Sequence, residues 1–168
     1  MADKYIYNNA GTLTEREGLA SSAGAGDAGK IPALDAAGRL DNSMMPVGIG
    51  ADTAAIASSE NLAAGDFVNV WNDGGTAKVR KADATTAGKP AHGFVLSAVT
   101  SPSNATVYFE GTNTEVTGLT PGDQFLSTTA GGATATAPSA SGNVVQKLGV
   151  ATSATALNFE PAQPIVLA

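Results

Sequence analysis

From about residue 51 to the C-terminus, apolar and polar positions alternate with a period of two in short runs, each closed by turn-forming residues. Phe67-Val68-Asn69-Val70-Trp71 and Thr76-Ala77-Lys78-Val79-Arg80-Lys81 flank Asn72-Asp73-Gly74-Gly75. The Asp-Gly pair there supplies the positive φ that a tight hairpin turn requires. Further strands are predicted over 93–98, 106–110, 124–127, 133–137, 144–151, 155–159 and 165–167. Between them lie Ser101-Pro102-Ser103-Asn104, Thr120-Pro121-Gly122-Asp123, Gly131-Gly132 and Pro138-Ser139-Ala140-Ser141-Gly142, all turn chemistry. No helical period, heptad run or internal repeat competes with this pattern. The fold class it predicts is all-β, with a compact barrel or sandwich over 51–168.

Residues 1–50 follow neither period. Ser21-Ser22-Ala23-Gly24-Ala25-Gly26 has the composition of a flexible linker. Thr12 followed by Glu15 spells a capping box, which predicts a short helix that Gly18 ends. Beyond the linker, Pro32 and Pro46 push the preceding residues into extended backbone, and Asp35-Ala36-Ala37-Gly38 suits a type I turn. The expectation is an extended, largely non-regular arm and connector with no core of its own. At ~3.3 Å per residue, ten extended residues reach about 30 Å, enough to touch a neighbouring subunit. The candidate contact residues are its apolar side chains: Tyr5, Ile6, Tyr7, Leu13, Ile31, Leu34, Leu40, Met44 and Met45.

Composition sharpens this picture. The chain has 168 residues, enough for one domain and an appendage, and its 43% hydrophobic content leans on alanine with only 5% aromatics. So thin a core offsets ordering entropy poorly, and oligomerisation would supply the missing burial. A net charge of −6 with nine scattered Lys and Arg excludes nucleic acid as an expected partner. With no cysteine there is neither a disulfide nor a thiolate metal site. The N-terminal stretch has no apolar leader core and no run is long enough to span a bilayer, so the expectation is synthesis in a reducing cytoplasm and no membrane partner.

Several motifs invite chemistry and fail on context. Gly24-Ala25-Gly26-Asp27-Ala28-Gly29 satisfies G-x-G-x-x-G and, with Lys30, nearly fills a phosphate-binding loop. The position that would hold Mg²⁺ is Ile31, Pro32 blocks a following helix, and no apolar strand precedes Gly24, so no cofactor is expected. His92 is the single histidine, and Lys89-Pro90-Ala91-His92-Gly93 reads as a loop entering a strand. No G-x-S-x-G elbow raises a serine. Asp66, Asp73, Asp83, Glu110, Glu115 and Asp123 fall at predicted turns and strand ends, where turn formation and surface charge explain them better than a glycosidase pair. Trp71, beside a hairpin turn, suits a core or interface plug better than a sugar platform.

Gly29-Lys30-Ile31-Pro32-Ala33-Leu34-Asp35-Ala36-Ala37-Gly38-Arg39-Leu40-Asp41-Asn42-Ser43-Met44-Met45-Pro46 resembles the connector of trimeric phage fibres and head proteins. Gly118-Leu119-Thr120-Pro121-Gly122, Phe125-Leu126-Ser127-Thr128-Thr129, Ala137-Pro138-Ser139-Ala140-Ser141-Gly142-Asn143-Val144-Val145-Gln146 and Gly149-Val150-Ala151-Thr152-Ser153-Ala154-Thr155 resemble a C-terminal β-domain of phage head-decoration and fibre proteins. These stretches cover about half of the chain. The resemblance implies a non-enzymatic virion protein, a homotrimer seated on the major capsid protein where capsomers meet. A tail-fibre or head-fibre component that binds a host receptor or glycan is the alternative, weakened by the absence of repeats and of an aromatic-rich tip.

Overall fold

A computed structural model describes residues 4–45 and 50–168, which leaves Met1, Ala2, Asp3 and the connector's Pro46 outside the described residues. The chain divides into two units, Met1–Gly50 and Ala51–Ala168.

The first unit opens with a hairpin of β1 (Lys4–Asn9) and β2 (Thr12–Glu17) in register from Lys4↔Glu17 to Asn9↔Thr12. Its two-residue loop places Ala10 at φ 50° and Gly11 at φ 95°, the left-handed pair of a type I′ turn. Asn8 Oδ1 accepts the Gly11 N–H at 2.8 Å and closes it. The helix expected from Thr12 and Glu15 is therefore overturned. In β2 those two residues lie on opposite faces, and Glu15 reaches across to Lys4 at 3.0 Å instead of back to the Thr12 amide. Tyr5 and Tyr7 alternate with Ile6, which is strand period, and the turn residues behind them decide the competition.

The rest of this unit is held by hydrogen bonds. Leu19 bridges to the strand-like stretch at Pro32, donating to Ile31 O at 2.9 Å and accepting from Ala33 N at 2.8 Å. Asp35 anchors the expected turn: its Oδ1 accepts from Ala37 N and Arg39 N at 2.8 and 2.9 Å, and its carbonyl accepts from Gly38 N at 3.0 Å. Short 3-10 turns occupy Ala25–Asp27 and Asn42–Met44, the second capped by Asp41.

The second unit is all-β. Strands β3 (Thr53–Ala57), β4 (Phe67–Asp73), β5 (Thr76–Lys81), β6 (Gly93–Phe94) and β7 (Asn104–Tyr108) form one antiparallel sheet in the order β3-β7-β6-β4-β5. Just beyond β3, Ser58 bridges in parallel to Val79 of β5, and Ser59 N donates to Val79 O at 2.8 Å, so the sheet closes on itself as a small barrel. Alternation sends Val68, Val79, Ala105 and Val107 inward, with Leu62 and Val95, into one apolar cluster. The opposite face carries Phe67 and Phe94. These pack against Leu126, Leu148, Leu157 and Phe159 of a second sheet, β8 (Gly111–Asn113), β9 (Gly122–Leu126), β10 (Ala133–Thr134), β12 (Lys147–Ser153) and β13 (Ala156–Phe159), ordered β10-β9-β12-β13-β8. Between them β11 (Val144–Val145) pairs with β14 (Ile165–Val166) near the C-terminus.

The β4–β5 hairpin lies where the alternation predicts, but Gly74 and Gly75, at φ 61° and 94°, are its loop, and Asp73 ends the strand and pairs with Thr76. Gly93 is glycine for a steric reason: a Cβ there would stand 2.5 Å from Tyr108 O and 2.7 Å from Val107 Cγ1, so only its absence lets β6 lie against β7.

Candidate functional site

The two units use their apolar residues in opposite ways. Among the described residues every buried apolar side chain belongs to 51–168, and nothing in the first unit is buried. Ile6 is 65% exposed, Leu13 70% and Leu34 61%, and Ile31, Leu40 and Met45 are exposed as well. Tyr5, Tyr7 and Met44 are half-buried.

Register sorts the hairpin residues onto two faces. Ile6 and Leu13 are diagonal neighbours on one, beside the Lys4–Glu15 pair. Tyr5 and Tyr7 share the other with Arg16, whose guanidinium lies 4.0 Å from the centre of the Tyr7 ring. Arg16 was not among the sequence candidates, although a basic residue opposite two tyrosines on alternating strands is a readable signal once the hairpin is known. Ile31, Leu34, Leu40, Met44 and Met45 are presented singly, on turns and extended pieces. In the second unit Val150, Ile165 and Val166 are also exposed and escaped the sequence reading. Consecutive Ile165 and Val166 point to opposite faces of a strand, so a residue pattern alone does not say that both meet solvent.

Most of the residues that invited chemistry have structural partners, although the side chains of Glu110 and Glu115 make no hydrogen bond or ion pair among the described residues. In the Gly24–Gly29 loop, Asp27 Oδ2 accepts the Ala23 N–H at 2.6 Å and Oδ1 binds Lys30, so the lysine of the phosphate-loop-like motif is engaged within its own turn. The Lys30 hydrogen bond, followed by that from Ala23, holds the Asp27 carboxyl below its ordinary value. Asp41 is lowered likewise by the hydroxyl and amide of Ser43. Asp66 pairs with Lys81 at 3.2 Å, Asp73 with Lys78 at 2.6 Å and Asp123 with Lys147 at 2.8 Å, while Asp83 accepts from the amide and hydroxyl of Thr85. Trp71 is half-buried, lies 4.7 Å under the Arg80 guanidinium and donates from Nε1 to Ser59 Oγ at 3.3 Å. An open cleft of about 600 Å³ carries Glu110, Gly111, Asn158 and Glu160 on its walls. Among the described residues no group of His, Asp and Glu is arranged to hold a metal, and no helix is long and apolar enough to cross a membrane.

His92 enters β6 with its Nδ1 accepting the Val70 N–H at 3.0 Å. Partial desolvation of the ring is the main cause that lowers its pKa from 6.5, although the residue as a whole stays exposed, and an acceptor role for Nδ1 demands the neutral ring at that nitrogen. The folded pKa lies below the unfolded one, so this contribution to stability is complete above 6.5 and is lost as the pH falls through the folded value. Thermal unfolding followed downward from neutral pH should therefore show a fall in Tm beginning just below 6.5, which His92→Gln flattens. An unchanged slope in that variant refutes the assignment.

Set against known proteins, the chain matches no family model, no curated protein and no solved structure.

Proposed function

We propose that the protein is a non-enzymatic capsid decoration protein, which binds the outer surface of a phage head as a homotrimer and ties capsomers of the major capsid protein together. The observation that carries this reading is the division of apolar labour: a β-unit that buries its own core, joined to a unit of fifty residues that exposes Ile6, Leu13, Ile31, Leu34, Leu40 and Met45. Side chains displayed in this way gain burial when another molecule covers them. At roughly 25 cal/mol per Å², each aliphatic residue covered on docking adds about 1.5–3 kcal/mol, before ordering costs are subtracted.

Arms of this kind suit a shell under internal pressure. Three arms on one trimer act at a high effective concentration, so that weak single contacts sum to firm attachment without a strong one. The resemblance of the connector and of the C-terminal segments to phage virion proteins supports the same location, the capsid surface.

The test removes residues 1–50. The remaining unit, which holds every buried apolar residue among those described, should keep its β-sheet circular dichroism and its cooperative melt. Its binding to undecorated heads should weaken by about a hundredfold or more. Full occupancy of heads by the truncated protein, counted in averaged particle images, would refute the role given to the arm.

A further inference from the structure

We infer that the β1–β2 hairpin pairs head to tail with the hairpin of a second copy of this chain, the outer edge of β1 in one copy lying against the outer edge of β2 in the next. The inference rests on the oligomeric reading above and names the segment that makes the contact.

Three observations carry it. The first is a set of open backbone groups. A two-residue loop makes Asn9↔Thr12 a hydrogen-bonded pair, and in an antiparallel ladder such pairs alternate with pairs whose amides and carbonyls point away from the partner strand. The outward groups are then those of Lys4, Ile6 and Asn8 on β1 and of Leu13, Glu15 and Glu17 on β2. The sheet has two strands only, and none of these groups finds a backbone partner elsewhere among the described residues. Two open edges on an isolated hairpin are a template for strand addition, and a lone hairpin is marginal in water.

The second is apolar. Ile6 and Leu13, both well over half exposed, share the face formed by these same outward residues, so edge pairing sets the Ile6 of one copy beside the Leu13 of the next. The third is charge. The β1 edge carries Lys4, whereas the β2 edge carries Glu15 and Glu17. Pairing β2 with β2 would set four carboxylates against each other, and pairing β1 with β1 would oppose the two lysines. Only β1 against β2 brings unlike charges together, with Lys4 facing Glu17 when the hairpin tips are level. Such a contact is heterologous, so repeating it leaves each copy one donor edge and one acceptor edge, and the repeat ends when the ring closes.

The experiment is sedimentation of the full chain in low salt, with two charge variants examined separately and mixed. Lys4→Glu makes both edges acidic, and Glu15→Lys with Glu17→Lys makes both basic. Each variant alone should need about tenfold more protein to associate than the wild type, a loss that salt near 1 M removes. Mixed, the two should associate at lower concentration than either alone, because two of the three junctions in a mixed ring then set an acidic edge against a basic one, and only the third keeps like charges together. The mixture also separates pairing between copies from damage within a hairpin, since like charges still face each other inside each hairpin. Variants that associate as the wild type does, or a mixture no better than its parts, would overturn the pairing while leaving an oligomer built elsewhere. A wild type that stays monomeric throughout would overturn the pairing and the trimer together.

Discussion

Gly149→Ala should lower the Tm by roughly 10–20 °C, the largest loss expected of any single methyl added to this chain. Gly149 sits in the middle of β12, where that strand pairs with β9 on one side and β13 on the other. The pairing slips by one residue between Lys147 and Gly149, and the backbone follows with φ at 142°. A Cβ built there runs into the carbonyl oxygen of Asn158 and stands 3.0 Å from both its carbon and Glu160 N. The obstacle is the backbone of the neighbouring strand, so no rotamer change relieves it, and relief means parting β12 from β13. Overpacking of about 1–3 kcal/mol adds to about 1–3 kcal/mol for an L-residue at that φ. Gly118→Ala isolates the second contribution: at φ 70° with open space around its Cβ, it should cost only about 1–2 kcal/mol. Thermal or urea unfolding of the two variants side by side checks the prediction. Equal losses would mean that the approach of Asn158 carries no weight.

The positions of most strands in the second unit were legible because their alternation is regular and their turns carry Gly, Pro, Asn and Asp. Thr76–Lys81 is a strand as expected, 106–110 became Asn104–Tyr108, and 144–151 split into β11 and β12 around Gln146. Lengths were less legible. Of 93–98 only Gly93–Phe94 pairs as a strand, because the chain leaves the sheet at Val95 to cover the barrel interior. Strand β3, Thr-Ala-Ala-Ile-Ala, carries too few β-branched or aromatic residues to announce itself; it is a strand because Ala54 and Ile56 face Val107 and Ala105 across the barrel wall. Closure of the barrel through Ser58 and Val79 joins residues with no local signature at all. In the first unit the hairpin was missed because a capping-box pattern was weighed over a period of two. Ile6, Leu13, Ile31, Leu34 and Leu40 were identified as unburied by a simpler route, the absence of any periodic apolar partner nearby. The edge charges of Lys4, Glu15 and Glu17 acquire meaning only once the register is known.

Gln146→Leu should destabilise the second unit by about 3–5 kcal/mol, although it replaces a polar side chain with an apolar one of similar length in a buried place. Gln146 is 3% exposed and uses its amide fully. Oε1 accepts the Ala91 N–H at 2.7 Å, and Nε2 donates to Ala91 O at 3.0 Å and Ala162 O at 3.2 Å. It thus serves as a backbone surrogate, joining the loop before β6, the junction of β11 and β12, and the C-terminal tail. Leucine leaves three backbone groups without that partner; Ala162 is exposed and its carbonyl can turn to water, whereas the amide and carbonyl of buried Ala91 cost about 1–3 kcal/mol each. Gln146→Glu asks a finer question. A carboxylate can still accept from Ala91 N, but its second oxygen then faces two carbonyl oxygens and must carry a proton to bond either. Burial and this contact raise the folded pKa of the new carboxyl above its unfolded value. The protonated variant should therefore be most stable below the unfolded value, near 4.3, and lose that stability as the pH rises through the folded one. Urea unfolding of Gln146→Glu at pH 4 and pH 7, against wild type at both, measures the difference. A variant equally weakened at the two pH values would mean that Gln146 acts by filling space rather than by bonding Ala91 and Ala162.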